Sequence, residues 1–81
     1  MENLALTLAL QRRFVFFDKL AALNRRGMHV ADPWGIGASL GLDHEETERV
    51  LSSLEAIGWI ERGWQNGAEC VALTVTGLAR L

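Results

Sequence analysis

The segment with the most residues that could take part in binding or chemistry is 43–57, DHEETERVLSSLEAI. One guanidinium lies there among carboxylates and hydroxyls. Arg49 carries a fork of N–H donors that matches the two acceptors of guanine, and Ser52 can meet a base or a phosphate. Glu45 and Glu48 are close to this arginine. A carboxylate can accept from the amino group of cytosine, but it repels phosphates. The segment therefore mixes groups suited to nucleic acid with charges that oppose it.

Each acidic residue of this segment also has a structural interpretation. Asp43 is the expected N-cap of a helix, and Glu46, three residues later, would complete a capping box. Glu45 and Glu48 are either solvated surface or contact residues, and the pattern leaves both interpretations open. Arg49 can equally form an ion pair with a glutamate of its own helix.

A helix over this segment would separate a buried side from an exposed one. At about 100° per residue, four residues share one side and should pack into the core: Thr47, Val50, Leu51 and Leu54. The opposite side is centred on Glu45, Arg49, Ser52 and Ala56, with Glu48 and Ser53 at its edges, and all of these except Ala56 are candidate contact residues.

The other parts of the chain predict the elements that hold this helix in place. Asp32 and Pro33 form a strong helix start, because the first caps free N–H groups and the second suits the first helical position. Asn66-Gly67 favours a hairpin turn. The single domain of residues 1–81 should therefore contain a helix over 3–26, a short strand over 28–31, a helix over 33–40, the candidate contact helix over 44–57, a hairpin over 59–76 and a terminal turn over 77–81.

This order of elements, with the runs IGASLGL, VLSSLEAIGWIER and LTVTGLARL, resembles the winged-helix domains of small bacterial and archaeal regulators of the MarR and PadR kind. The resemblance covers residues 28–81 well and residues 3–26 loosely. It implies a mainly α fold with a small β-hairpin (α+β), a winged helix-turn-helix of three helices and a two- to three-stranded wing sheet. It also implies a DNA-binding transcriptional regulator whose third helix enters the major groove.

The predicted wing departs from the pattern of the resembled families, whose wings usually carry Arg or Lys at the tip. Here the tip is residues 65–69, QNGAE, without a basic residue. Gln65 and Asn66 remain candidate DNA contacts, and Arg62 at the base of the wing is expected to reach a phosphate. Trp64 is expected to be half-buried against the hairpin.

The first helix is apolar on two sides, which is typical of a helix with a second partner. One side is the expected core face: Leu6, Leu10, Phe14, Phe17, Leu20 and Ala21. The opposite side carries the candidate dimer-interface residues Leu4, Leu8, Val15 and Ala22. We therefore predict a homodimer through this helix; the alternative is that the Leu4/Leu8 end folds back onto its own domain.

The composition and charge of the chain limit the classes of function that it could have. Of 81 residues, 49% are hydrophobic, so a small folded domain is expected, and the net charge of −2 counts mildly against nucleic acid. The charge is uneven: residues 12–26 hold five Lys or Arg and one Asp, whereas residues 43–61 hold six Asp or Glu and one Arg.

Other residue types exclude several kinds of site. The single cysteine, Cys70, excludes an internal disulfide and a multi-cysteine zinc site. No phosphate-binding loop, nucleophile elbow or paired-acid motif is present, so we predict no enzyme activity, no cofactor and no metal. The apolar N-terminus is interrupted by charges, which favours a cytoplasmic protein without a membrane span.

Two hypotheses of function follow from these features. The first is a small DNA-binding transcriptional regulator that acts as a homodimer and reads DNA through Arg49, Ser52 and their neighbours. The alternative is a winged-helix protein-interaction module without DNA binding, whose acidic helix engages a basic protein partner.

Overall fold

A computed structural model describes the backbone of residues 4–81 and the side chains from Leu10 onward. Among these residues, no helix is both long and apolar enough to cross a membrane. One small antiparallel hairpin follows the first three helices, which confirms the predicted α+β winged-helix class. In chain order the elements are α1 (Leu4–Arg25), α2 (Pro33–Ser39), α3 (His44–Ala56), β1 (Ile60–Gln65), β2 (Ala68–Leu73) and α4 (Val75–Leu78).

The starts of α2 and α3 are fixed by side-chain caps. The Asp32 carboxylate accepts a hydrogen bond of 3.0 Å from the backbone N–H of Trp34. Asp43 and Glu46 form a full capping box, in which each side chain accepts from the other's backbone N–H at 2.8 and 3.0 Å. A capping box satisfies two otherwise free N–H donors and fixes where the helix begins. The start of α3 then determines which of its residues face the core.

The hairpin forms the wing, and its strands pair antiparallel from Ile60↔Leu73 to Gln65↔Ala68. The turn residues Asn66 and Gly67 have φ of 51° and 81°. Two consecutive positive φ angles are typical of the type I′ turn, whose twist matches that of the strands. The short connection makes the wing a narrow two-stranded ribbon.

The predicted strand over residues 28–31 is reduced to a single bridge. Ala31 exchanges two backbone hydrogen bonds of 2.9 Å with Val71, and this bridge is isolated. The preceding residues are engaged with the end of α1 instead. The N–H of Met28 donates to the carbonyl of Leu23, and the His29 ring contacts the Asn24 side chain at 2.8 Å. Backbone groups that close a helix end cannot also extend a ladder.

The core lies where α1, α3 and the base of the wing meet. Thr47, Val50, Leu51 and Leu54 of α3 are all buried, as the helical periodicity predicted. The largest side chains with almost no exposed surface come from three parts of the chain: Phe16 and Leu20 of α1, Leu51 and Leu54 of α3, and Ile60 and Val71 of the wing.

The predicted core face of α1 is confirmed at Phe17, Leu20 and Ala21 and is wrong at two other positions, while the Leu6 side chain lies outside the described residues. Leu10 and Phe14 are exposed, the latter by 48%, whereas Phe16 is fully buried. The side of α1 that faces α3 carries arginines, and Arg12 and Arg13 bond there to Glu46 and Ser53. In this part of α1 the contacts to α3 are therefore partly polar.

The crossing of α2 and α3 is close because one residue lacks a side chain. Gly37 is buried, and a Cβ atom added to it would overlap the hydroxyl oxygen and the methyl group of Thr47. Thr47 is itself buried. Contact between this glycine and this threonine therefore sets the distance between the two helices of the helix-turn-helix.

Candidate nucleic-acid interface

The outward side of α3 is exposed, and Arg49 lies at its centre. Glu45, Ser52 and Ala56 share this exposed surface. Nη1 of Arg49 lies 2.7 Å from Oε1 of Glu45, one helical turn away, and the arginine side chain is 62% exposed. Exposed pairs at this spacing contribute only about 0.3–0.5 kcal/mol, so either residue can exchange its partner at little cost.

Glu48 has a different partner, in the wing. Nη1 and Nη2 of Arg62 donate to the two oxygens of Glu48 at 2.8 and 2.9 Å, and Nε donates to Glu69 at 2.6 Å. We call Glu48, Arg62 and Glu69 the wing clamp. Arg62 was predicted to reach a phosphate, but its side chain is only 17% exposed and all three of its nitrogens donate to carboxylates. Its guanidinium is therefore occupied within the domain.

Two groups of the wing clamp, Glu48 and Arg62, are held in their charged forms. Hydrogen bonds from Arg62, followed by one of 2.9 Å from the Ser52 hydroxyl, lower the pKa of Glu48 from its ordinary 4.5 to about 2. Hydrogen bonds to Glu48 and Glu69 raise the pKa of Arg62 above its usual range. Glu48 and Arg62 are therefore both ionised at neutral pH.

This pKa shift makes a prediction about acid stability. Because the folded-state pKa of Glu48 is depressed, the carboxylate stabilises the fold above its unfolded value of 4.5, and this contribution is lost as pH falls toward 2. Its side chain is 43% exposed, so solvent screening limits the effect to about 1 kcal/mol. Urea denaturation from pH 7 to pH 2 should show wild type more stable than Glu48→Gln at pH 7, with the difference vanishing near pH 2. Parallel curves would contradict the assignment.

Glu46 forms an ion pair in addition to its role in the capping box. While one of its oxygens accepts from the Asp43 N–H, the other lies 2.7 Å from Nη1 of Arg12 on α1. Three glutamates in the first half of α3 thus each contact an arginine, and the three arginines belong to α1, α3 and β1. The negative charge of these three glutamates is therefore largely offset within the domain.

The two serines predicted as contacts are also hydrogen-bonded internally. Ser52 is exposed and donates to Glu48, which leaves its oxygen free to accept from a further donor. Ser53 is half-buried, and its oxygen accepts a bond of 3.0 Å from Nη1 of Arg13. Ser52 therefore remains available to a ligand, whereas Ser53 mainly joins α3 to α1.

Basic side chains border the outward side of α3 on its α1 flank. From the sequence, Arg12 and Arg13 were counted among the five basic residues of 12–26 and were not identified as partners of α3. Arg13 also has a buried Nε without a hydrogen-bond partner among the described atoms. A cleft of about 180 Å³ opens at this flank and is lined by Leu10, Arg12, Arg13, Glu46, Arg49, Val50 and Ser53.

The wing tip carries no basic side chain, and most of it is exposed. Gln65, Asn66 and their neighbours up to Ala68 face solvent. Trp64, expected to be half-buried, is 74% exposed. Its cross-strand neighbour Glu69 directs its carboxylate to Arg62. The Trp64 ring lies closer to the turn than Ile60 and Val71, which are buried in the core. The tip therefore offers amide groups and one indole, without a cation.

The histidine at the start of α3 has a structural contact. The His44 ring stacks on Trp34 with centroids 4.2 Å apart and planes 6° from parallel, which links α3 to α2. In the described part of the chain, no three His, Cys, Asp or Glu side chains are grouped so that they could hold a metal ion.

Comparisons with known proteins bear on the fold. No protein-family model and no curated protein matches this sequence. A crystal structure of the oxidized form of MarR from E. coli superposes with a TM-score of 0.60 over 98% of this chain and 68% of the MarR chain, at 22% sequence identity. At this identity the similarity shows the fold, and the predicted MarR-like winged helix is confirmed at that level.

Proposed function

We propose that this chain, a winged-helix domain with the fold of MarR, binds double-stranded DNA as a small transcriptional regulator and acts as a homodimer. One observation carries the proposal: Arg49 lies exposed at the centre of the outward side of α3, and its partner Glu45 is equally accessible. In this fold that side of the third helix is suited to the major groove. The internal pairs of Glu46 and Glu48 remove much of the repulsion that their charges would cause.

Recognition would proceed by exchange of partners at Arg49. A bidentate pair with guanine contributes about 1–3 kcal/mol of discrimination, which exceeds the value of an exposed ion pair on a helix. Guanine would therefore displace Glu45 from the arginine. Ser52 would accept or donate at the next base or at a phosphate. Glu45, released from its pair, would either accept from a cytosine amino group or reduce affinity by repulsion.

Substitutions at Arg49 and Glu45 are expected to change DNA affinity in opposite directions. Arg49→Ala should weaken binding at least tenfold, because a bidentate contact is lost. Glu45→Gln should strengthen it about three- to tenfold, because repulsion of about 1 kcal/mol is removed. Fluorescence anisotropy titrations against genomic fragments at two salt concentrations measure both effects.

The control for the charge change is Glu61→Gln, which removes an exposed carboxylate from β1, away from α3. It should change affinity less than twofold. Absence of binding by wild type at low salt would disprove the DNA proposal and favour the protein-interaction alternative. That alternative rests on the charge of α3, much of which Arg12, Arg49 and Arg62 offset.

The proposed dimer would form through the exposed apolar residues of α1. Val15 was predicted at this interface and is 48% exposed, and Leu10 and Phe14 add apolar surface nearby. Ala22, also predicted there, is half-buried. The side chains of Leu4 and Leu8, the other two candidates, lie outside the described residues. A two-fold dimer would present two α3 helices to half-sites about one DNA turn apart.

Val15→Glu is expected to weaken self-association at least tenfold, because it places a charge in an apolar contact. Sedimentation equilibrium over a range of concentrations measures this change. Ala79→Glu adds the same charge at an exposed position after α4 and should leave association unchanged. Wild type that remains monomeric at high concentration would contradict the proposed dimer.

A further inference from the structure

The wing clamp indicates a role for Arg62 other than direct contact with DNA. We infer that Arg62 is a positioning residue, which fixes the wing against α3 through Glu48 so that both elements meet DNA in one orientation. Its guanidinium would then act without touching DNA. The effect on DNA rests on the proposed function, whereas the fixed orientation of the wing does not.

The geometry of the clamp is suited to orientation. Arg62 uses two parallel N–H bonds to Glu48 on α3 and a third bond to Glu69 on β2. A bidentate guanidinium–carboxylate pair is planar and directional, unlike the pair that a lysine makes. Since Glu69 belongs to the same hairpin as Arg62, the guanidinium is held on the wing by one carboxylate and directed at the helix by the other.

The position of the clamp along the hairpin also suits it to orient the wing. Below it, Ile60 is buried in the core; at its own level, Val71 is buried opposite Arg62 and bridges to Ala31. Above it, Trp64 and the turn are exposed. Among the described side chains, the hydrogen bonds that join β1 to α3 are those between Arg62 and Glu48. The clamp therefore lies where the anchored base of the wing gives way to its free tip.

A small rotation at this level would move the tip considerably. At about 3.3 Å per residue, the turn lies on the order of 13 Å beyond Arg62, so a rotation of about 20° displaces it by roughly 4 Å. A two-stranded hairpin has little stability of its own to resist such motion. A wing already held in its bound orientation avoids the entropy cost of ordering on contact with DNA.

The experiment measures wing mobility in the absence of DNA. Amide hydrogen exchange of residues 64–69 should be about tenfold faster in Glu48→Gln and in Arg62→Met than in wild type, while core amides of α1 and α3 keep their protection. Arg62→Lys should lie between wild type and Arg62→Met, because it keeps the charge and loses the fork. Glu45→Gln is the matched control, since it breaks an ion pair on the same helix without touching the wing. Wild-type exchange of the wing in Glu48→Gln would overturn the inference.

A DNA measurement separates positioning from direct contact. If Arg62 only positions the wing, Arg62→Met and Glu48→Gln weaken binding by a similar factor, about fivefold, with the same dependence of log K on log salt. If Arg62 contacts a phosphate, Arg62→Met alone lowers the magnitude of this slope by about 0.9, which would overturn the inference. If wild type binds no DNA, the proposed function fails, and hydrogen exchange still decides whether the clamp orients the wing.

Discussion

Phe16→Ala is expected to destabilise the domain by about 3–5 kcal/mol. Phe16 is fully buried and belongs to the cluster that joins α1 to α3 and to the wing. Truncation to alanine removes the transfer free energy of the ring and leaves a cavity that the surrounding side chains fill only in part. A domain of this size has about 5–15 kcal/mol in total, so the loss is a large fraction of its stability. Urea denaturation measures it, and Phe16→Leu gives a smaller loss if the alanine variant does not fold.

The control for Phe16 lies two residues earlier on the same helix. Phe14 is half exposed, and its described polar contact is the Arg13 guanidinium, 5.6 Å from the ring centroid. Phe14→Ala should therefore cost about 1 kcal/mol or less in the monomer, while it weakens self-association if α1 forms the dimer. Equal losses at the two positions would contradict the placement of the core face of α1.

The second large effect is expected at Gly37. Alanine normally favours a helix over glycine by about 1 kcal/mol, so propensity alone predicts that Gly37→Ala stabilises α2. The structure predicts the opposite, because the added methyl group would overlap the buried side chain of Thr47. Overpacking of this kind costs about 1–3 kcal/mol, and a matching loss should appear in urea or thermal denaturation.

A second variant identifies the cause of that loss. Thr47→Ala removes the hydroxyl and methyl groups that the new Cβ would meet. Gly37→Ala combined with Thr47→Ala should therefore be more stable than the sum of the two single changes implies, by at least about 1 kcal/mol. Additive losses would mean that Thr47 is not what keeps alanine out of position 37. A stabilised single variant would disprove the close crossing of the two helices.

The parts of α3 that depend on local interactions could be predicted from the sequence. The capping box of Asp43 and Glu46 involves residues three apart, and the buried side follows from a repeat of 3.6 residues. The Arg49–Glu45 pair spans one helical turn and was among the pairings that the sequence left open. These features need no knowledge of what α3 packs against.

Features that depend on packing between elements were missed. The partner of Glu48 lies on the wing and the partner of Glu46 on α1, and composition alone counted both glutamates as unbalanced charge. The core face of α1 was misassigned in part for the same reason. Phe14 and Phe16 are equally apolar, so residue type alone does not distinguish which of them is buried.

In the wing, too, local features could be predicted from the sequence and features that depend on packing could not. The Asn66-Gly67 turn was recognisable from residue type, because few residues adopt positive φ without strain. The exposure of Trp64 was not recognisable, because it depends on how far along the hairpin the core reaches and not on residue type. The strand predicted over 28–31 failed because the end of α1 uses the backbone of residue 28.

The exposed indole of Trp64 gives the wing an optical signal of its own. The other two tryptophans, Trp34 and Trp59, are partly buried and pack against the core or against another ring. Water around Trp64 shifts its emission to longer wavelength, and dissolved iodide or acrylamide collides with it far more often than with the other two. Fluorescence quenching therefore reports on the surroundings of the wing in the unlabelled protein, and Trp64→Phe supplies the background signal to subtract.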